Sequence, residues 1–417
     1  MDALVLVGGY ATRLQPLTLR TPKSLTPVAG KPVLTHLLER LREAGAKEVL
    51  VSLNPSQRKV EDLYGDGTRE GLRIQYHYEA HRGEAHKPGA LGAVLEAVQH
   101  YGAPRKGLVI NGDNFVHGLN LAELVRLRER KKAAAAIAFY ELANKSLVEQ
   151  YGIAALDREG RISQFQEKPR VEEAISQLAS TGLYCWSPEF FTKHLPAYAE
   201  AKRRAGQKAD RMGDIFPHYA KSLPLYGLPF TGVWGDANTA ETYIEMNKLA
   251  MNRLAVPAKN GHKGKGTLAG REILIAEDVD IEEGAVIKGP AILERGVRVG
   301  RGAVVGPYTH LLHHAEVGER AQVSGSIVFE HARVGAGAHV EDALLDGRSL
   351  VGEGARLESY SIVGFESKVG ARARVHGHSR LWPFVELGDE SVVEGVVKAH
   401  VSPEEQERLD ASRYWTE

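Results

Sequence analysis

A glycine pair and two basic side chains stand close together near the start of the chain: Gly8-Gly9-Tyr10-Ala11-Thr12-Arg13, then Lys23 after Pro22. A Gly-Gly pair lets backbone N–H groups come close to an anion. The run is neither G-x-G-x-x-G nor a Walker loop, because no Gly-Lys-Ser/Thr follows. Taken alone, it favours a plainer reading, a tight strand exit with Arg13 and Lys23 as solvated charges. Farther along, Asn111-Gly112-Asp113 closes an apolar run, the place where an α/β sheet presents catalytic carboxylates. Asp236, in Val233-Trp234-Gly235-Asp236, is a second carboxylate, either a metal ligand or the N-cap of a helix beginning near Thr239. Magnesium takes one or two protein carboxylates together with phosphate oxygens and waters, so Asp113 and Asp236 could supply its protein ligands. Glu167-Lys168 precedes Pro169; such a pair is common on surfaces and weak by itself.

These side chains need a sheet to hold them. Residues 3–7 read as a fully buried strand that delivers Gly8. Residues 33–44 place Leu34, Leu37, Leu38, Leu41 and Ala44 on one helical stripe, with Pro32 at its start and Gly45 past its end. Strands are expected at 48–53, at 72–78, where Leu72, Ile74, Tyr76 and Tyr78 alternate, and at 107–111. A helix fills 90–101 between the last two. Asn120 caps a helix to about Lys132, and 133–140 returns to strand. Tyr151-Gly152-Ile153 opens a hairpin that turns at residues 157–160. The alternation predicts a mostly parallel, mixed α/β sheet covered on both faces, with ligands at the carboxyl ends of its strands.

The second half keeps another rhythm. Ile287, Leu293, Val299, Val305, Leu311, Val317 and Val323 recur every six residues, and a second such run extends from Leu345 to Val393. Val-Gly-x-x-Ala recurs at Val299, Val317, Val334, Val351 and Val369. Six matches neither an α-helix nor an open sheet. Three hexapeptides per turn predict a triangular β-solenoid, apolar residues inward and Gly or another small residue at the corners. Residues 258–266, polar, basic and Gly-rich, read as a flexible linker. Ser402-Pro403-Glu404-Glu405 reads as a helix N-cap, and Trp415 falls in the last turn. The predicted organisation is a catalytic domain at 1–255, a linker at 256–268, a β-helix at 269–400 and a C-terminal helix at 401–417.

Lys+Arg and Asp+Glu number 53 each in 417 residues, so the formal net charge is zero and nothing supports a nucleic-acid or membrane partner. The one cysteine, Cys185, excludes a disulfide framework and suits a cytoplasmic setting. The apolar run at 3–7 is too short for a signal sequence.

Residues 6–34, LVGGYATRLQPLTLRTPKSLTPVAGKPVL, closely resemble the signature of the sugar-1-phosphate nucleotidyltransferases, above all the mannose-1-phosphate guanylyltransferase branch. The resemblance implies a Rossmann-like nucleotidyltransferase domain followed by a left-handed β-helix of hexapeptide repeats. It implies that Gly8, Gly9, Glu79, Gly89 and Gly112 line the nucleotide. Arg13 then holds the β- and γ-phosphates, and Lys23 reaches the α-phosphate region. Asp113 and Asp236 match the family's magnesium motifs. Gly152, Glu167, Lys168 and Thr181 match its sugar-phosphate side, Glu167 for hydroxyls and Lys168 for the phosphate. A sugar-phosphate oxygen attacks the α-phosphorus of a nucleoside triphosphate, and fixed cations stabilise the departing pyrophosphate. No nucleophilic side chain is needed.

One stretch departs from the family. Between Glu79 and Gly92 the spacer is long, and Ala90 replaces the expected Thr. Glu79 suits guanine, whose N1–H and N2–H2 are both donors, so GTP is the expected donor, with dTTP and UTP as alternatives. The inserted His81, Arg82, His86 and Lys87 read as a surface loop. Two rivals stand beside the enzyme. A non-catalytic regulatory subunit is opposed by Arg13, Lys23, Asp113 and Asp236. Acyl transfer on the β-helix is opposed by the lack of the relatives' histidine motif near Val334, with His313, His314 and His331 read as exposed. The solenoid is expected to make a homo-oligomer.

Overall fold

The structure, a computed structural model, describes residues 1–80, 89–253 and 263–412. The loop residues His81, Arg82, His86 and Lys87, the linker residues 256–262 and Trp415 lie outside the described residues. The chain divides into two compact units, one of Met1–Tyr10 with Pro32–Gly235, the other of Ala11–Lys31 with Asp236–Glu417. The signature segment is therefore shared between them, where the sequence suggested a single cut near residue 255.

In chain order, β1 (Ala3–Leu6) leads to α1 (Leu17–Arg20) and to the paired β2 (Pro27–Val28) and β3 (Lys31–Pro32). Next come α2 (Val33–Glu43), β4 (Glu48–Leu53), α3 (Lys59–Tyr64), β5 (Arg73–Tyr78) and α4 (Gly89–Tyr101). Then follow β6 (Leu108–Asn111), β7 (Asn114–His117), α5 (Leu121–Arg130) and β8 (Ala135–Glu141). Strands β9 (Gly152–Leu156), β10 (Ile162–Glu167) and β11 (Leu178–Trp186) precede α6 (Leu195–Arg204) and α7 (Ile215–Tyr219). Strands β12 (Leu225–Phe230) and β13 (Val233–Asp236) and helix α8 (Ala240–Met251) complete the first half.

The first unit is built on one sheet ordered β10-β9-β11-β6-β1-β4-β5, with β8 on β11 and β12 on β8. Strands β6, β1, β4 and β5 are parallel, with Leu4 between Leu50 and Val109. The sheet as a whole is mixed, because β11 runs antiparallel to β6, β8 and β9, and β9 to β10. The physical reason is the connection: no α-helix crosses over between β8 and β11, and a tight turn joins β9 to β10, which only antiparallel neighbours allow. Asn120 caps α5 by accepting from Ala122 N–H (3.0 Å), as its sequence position predicts.

The second unit is a left-handed β-helix of three parallel sheets. Val299 pairs with Val317, Val317 with Val334, Val334 with Val351 and Val351 with Val369, so each Val-Gly-x-x-Ala repeat lies directly on the next. These valines and the alanines at 303, 321, 338, 355 and 373 form one buried core. The glycines after the valines do not turn the corners. A β-carbon on Gly318 would sit 2.7 Å from Ala336 N and 2.8 Å from Gly335 C, so these positions are small because coil backbones stack closely. The left-handed corner residues stand two places later, at Gly302, Arg320, Gly337, Gly354 and Arg372. The solenoid also starts earlier than the predicted 269: Lys263–Gly264 and Thr267–Ala269 are already strands of its first coil. Gly264 and Gly266, read as linker glycines, lie against Ile281 of the next coil, Gly264 against its backbone carbonyl and Gly266 against its side chain, so close packing accounts for them.

The third sheet has an apolar outer face as well. Ile292, Ile327, Leu344 and Ile362, each next to an inward residue, are buried together with His310. Within the same unit, helix α8 joins the 11–31 segment through Tyr243 Oη to Pro27 O (2.7 Å) and Ala29 N to Asn247 Oδ1 (2.8 Å). It joins the coils through Lys248 Nζ to Asp342 Oδ1 (2.9 Å). Helix α9 (Pro403–Ala411) has a capping box between Ser402 and Glu405, and its Leu409 packs on Phe365 and Phe384. His313, His314 and His331, read as exposed, are half-buried: His313 pairs with Glu294, and the rings of His314 and His331 stack at 5.2 Å.

Candidate active site

Ten of the thirteen expected site residues lie in the first unit and three in the second. In the first, β1 ends where the glycine pair begins. Asn54 Nδ2 donates to Gly8 O (3.0 Å) and Gln57 Nε2 to Gly9 O (2.7 Å), fixing the pair by its carbonyls. The buried Glu79 carboxylate lies against Gly8, where a β-carbon would fall, and accepts from Ser52 Oγ (3.1 Å). Glycine at position 8 is thus what admits this carboxylate to the loop. Gly89 opens α4 and packs on Asp210; Gly112 packs beneath Val5 and Val7. Neither contact needs a nucleotide to explain it.

Asp113 follows β6, at the carboxyl end that the sequence predicted. Its Oδ1 accepts from Asn114 Nδ2 (3.2 Å), and Asn114 Oδ1 accepts from the buried Trp234 Nε1 (3.0 Å). Since an indole nitrogen only donates, this bond fixes which end of the Asn114 amide faces Asp113. The Trp234 ring packs edge-on against Tyr151 at 4.8 Å, next to Gly152. Asn114 escaped the sequence reading because one asparagine in a strand has no signature; the Trp-x-Asp segment placed Trp234 without its partner.

On the sugar-phosphate side, Gly152 and Gly213 flank the Glu167 carboxylate so closely that a β-carbon on either would strike it. Burial raises the Glu167 carboxyl above its ordinary range; Lys168 opposes the shift and Asp214 adds to it. Lys168 is exposed, with φ of 52° and its N–H on Tyr151 O (3.1 Å). Thr181 is buried, its hydroxyl given to Ala138 O (2.9 Å), so its side chain supports the sheet. After it the β11–β8 register shifts, and Gly182 (φ 75°) approaches the Asn111 and Asn114 amides.

In the second unit, Arg13 lies in a short 3-10 turn and Lys23 begins another. Lys23, though charged, is buried, and its Nζ donates to Asn238 Oδ1 (2.5 Å). Asn238 Nδ2 in turn donates to Asp236 Oδ2. Two predicted residues are therefore joined through a third that the sequence reading passed over. The N-cap of α8 is Thr239, in a capping box with Thr242, so the capping alternative for Asp236 is overturned. Among the described residues no three His, Cys, Asp or Glu side chains gather as a metal cluster. Asp113 in the first unit and Asp236 in the second each carry hard carboxylate oxygens, the donor chemistry that magnesium prefers. No helix among the described residues is long and apolar enough to cross a membrane.

Comparison with known proteins finds relatives of both halves of the chain. Residues 2–253 match the nucleotidyl transferase family model, and residues 287–397 match that of the GMPPB C-terminal domain. The chain is 31% identical to a UTP–glucose-1-phosphate uridylyltransferase of Synechocystis, over 79% of this chain and 83% of that protein. It is 29% identical to a mannose-1-phosphate guanylyltransferase of Mycobacterium tuberculosis, over 75% and 78% respectively. A solved UDP-glucose pyrophosphorylase complexed with UDP-glucose shares the fold with a TM-score of 0.50 and 22% identity, covering 60% of this chain and 98% of that one.

Proposed function

From the premise that the chain belongs to the nucleotidyl transferase family and is a sugar-1-phosphate nucleotidyltransferase, we propose that its donor is GTP and its acceptor mannose 1-phosphate. The observation that carries the base assignment is the Glu79 carboxylate against Gly8. A carboxylate accepts on two oxygens, which suits the adjacent N1–H and N2–H2 of guanine. Uracil and thymine offer one N–H between two carbonyls and would meet it acceptor to acceptor. The likeness to the GMPPB C-terminal domain supports the same reading. The uridylyltransferase likeness supports a second, transfer from UTP or dTTP to glucose 1-phosphate.

In the proposed reaction, a phosphate oxygen of the sugar 1-phosphate attacks the α-phosphorus of the nucleotide. The new P–O bond forms as the bond to the β-phosphate oxygen breaks, and pyrophosphate leaves. Gly8 and Gly9 seat the nucleotide, with Gly89 and Gly112 shaping its walls. Arg13 and Lys23 hold the phosphate chain, Lys168 the sugar phosphate, and Glu167 the sugar hydroxyls, with Gly152 and Thr181 forming their floor. Asp113 and Asp236 hold magnesium, which when bound neutralises phosphate charge. Cations already in place as negative charge shifts to the leaving group lower the barrier. We further propose that the protein works in the cytoplasm as a homo-oligomer joined by solenoid faces other than the buried one. Turnover across GTP, dTTP and UTP with mannose, glucose and N-acetylglucosamine 1-phosphates tests the assignment. GTP with mannose 1-phosphate should be best, and Glu79→Gln should cost kcat/KM for GTP about 10- to 100-fold. A preference for UTP or dTTP that Glu79→Gln leaves unchanged would refute it.

A further inference from the structure

Arg20 has no part in the chemistry above, yet it is the most deeply held cation of the signature segment. Its side chain has no exposure at all. One edge of the guanidinium meets Asp346 Oδ1 through Nε (2.9 Å) and Nη2 (2.5 Å). The other meets Glu330 Oε1 through Nη1 (2.5 Å) and Oε2 through Nη2 (3.3 Å). The Phe365 and Phe329 rings lie 5.3 and 5.6 Å from its centre. The site is built to receive it: Gly347 donates its N–H to Asp346 Oδ1 (2.8 Å), and a β-carbon there would strike Glu330.

A buried ion triad is a poor way to gain stability, since well-packed apolar side chains of similar volume often do as well or better. It does fix place and angle, because a guanidinium offers its donors in a rigid planar fork. The place fixed here matters. Arg20 ends α1, and Lys23 follows after only Thr21 and Pro22. The restraint continues through short local bonds: Thr18 Oγ1 to Ala11 O (2.9 Å), Leu25 N to Pro22 O (2.8 Å) and Thr26 Oγ1 to Lys23 O (2.7 Å). From Ala11 to Thr26 the segment has no β-ladder to hold it.

We propose that Arg20 is a positioning residue for nucleotidyl transfer: clamped by Glu330 and Asp346 of the solenoid, it sets where Arg13 and Lys23 stand. The solenoid is thereby part of the catalytic apparatus. The proposal rests on the roles given above to Arg13 and Lys23.

The test compares Arg20→Lys, which keeps the charge and loses the fork, with the triple variant Arg20→Met/Glu330→Gln/Asp346→Asn, which leaves no buried charge unpaired. Lys23→Met serves as reference. A misplacement of about 1 Å costs rate on the order of 100-fold. Per folded enzyme, kcat should therefore fall about 10- to 100-fold in both Arg20 variants, with KM for the sugar 1-phosphate unchanged. Placing Arg20→Lys on Lys23→Met should add far less than it does alone. A folded triple variant, or a folded Arg20→Lys, with wild-type kcat overturns the proposal while Lys23→Met remains slow. A Lys23→Met enzyme at wild-type rate overturns instead the site reading beneath it.

Discussion

Asn114→Ala tests the candidate site through a residue that touches no substrate. The wild-type amide gives Nδ2 to Asp113 (3.2 Å) and takes Trp234 Nε1 (3.0 Å). Alanine removes both bonds, and with them the one from Nδ2 to Asn111 O (3.3 Å). At Trp234 a buried donor loses its acceptor, which costs about 1–3 kcal/mol of stability. At Asp113 the carboxylate loses the group that orients it. Loss of such an outer partner lowers metal affinity or activity about 10- to 100-fold, or ~1.4–2.7 kcal/mol at 1.36 kcal/mol per decade. Pyrophosphate release, followed against magnesium concentration, reads this directly. The half-saturating concentration should rise about 10- to 100-fold, with part of kcat recovered at saturation. Trp234→Phe keeps an aromatic ring facing Tyr151 but removes the indole N–H together with part of the ring system; it leaves the Asn114–Asp113 bond in place, so its shift should have the same direction and be smaller. A folded Asn114→Ala enzyme with wild-type magnesium dependence would refute the proposed role of Asp113.

Two further outcomes follow from other parts of the molecule. The Glu167 carboxyl is raised in the folded chain by burial, so its contribution to stability is fully present below the unfolded value near 4.5 and is lost as pH rises through the folded one. Glu167→Gln should therefore raise the thermal midpoint near neutral pH, give no gain in acid, and weaken sugar 1-phosphate binding. In the solenoid, Gly318→Ala forces a β-carbon into the backbone of the next coil and should cost about 1–3 kcal/mol. Gly337→Ala meets nothing within 4 Å and pays only for φ of 63°, about 1 kcal/mol. Urea midpoints should rank the two in that order.

Most of the helices and strands of the first unit were legible because they are local. The stripe at 33–44 became α2, with Pro32 just before it and Gly45 just past its end, and the apolar run after residue 107 became β6. The mixed character of the sheet was legible too, since a hairpin at 151–160 requires antiparallel neighbours; which strands flank β11 depends on how the chain returns. In the solenoid the inward positions were read correctly and the glycines were misread. Spacing reports which side of a coil a residue faces, whereas the need for a small residue at Gly318 arises from Ala336 of the coil above.

The sequence by itself determined the family and the β-helix period. Each is carried by a contiguous run or a short repeat, where covalent geometry alone relates one residue to the next. Only the tertiary structure decided the partners. Lys23 meets Asn238 across 215 residues, Trp234 meets Asn114 across 120, and Arg20 meets Glu330 and Asp346 across 310 and 326. A buried polar group must find its complement wherever packing brings one, and nothing in the spacing along the chain marks the pair.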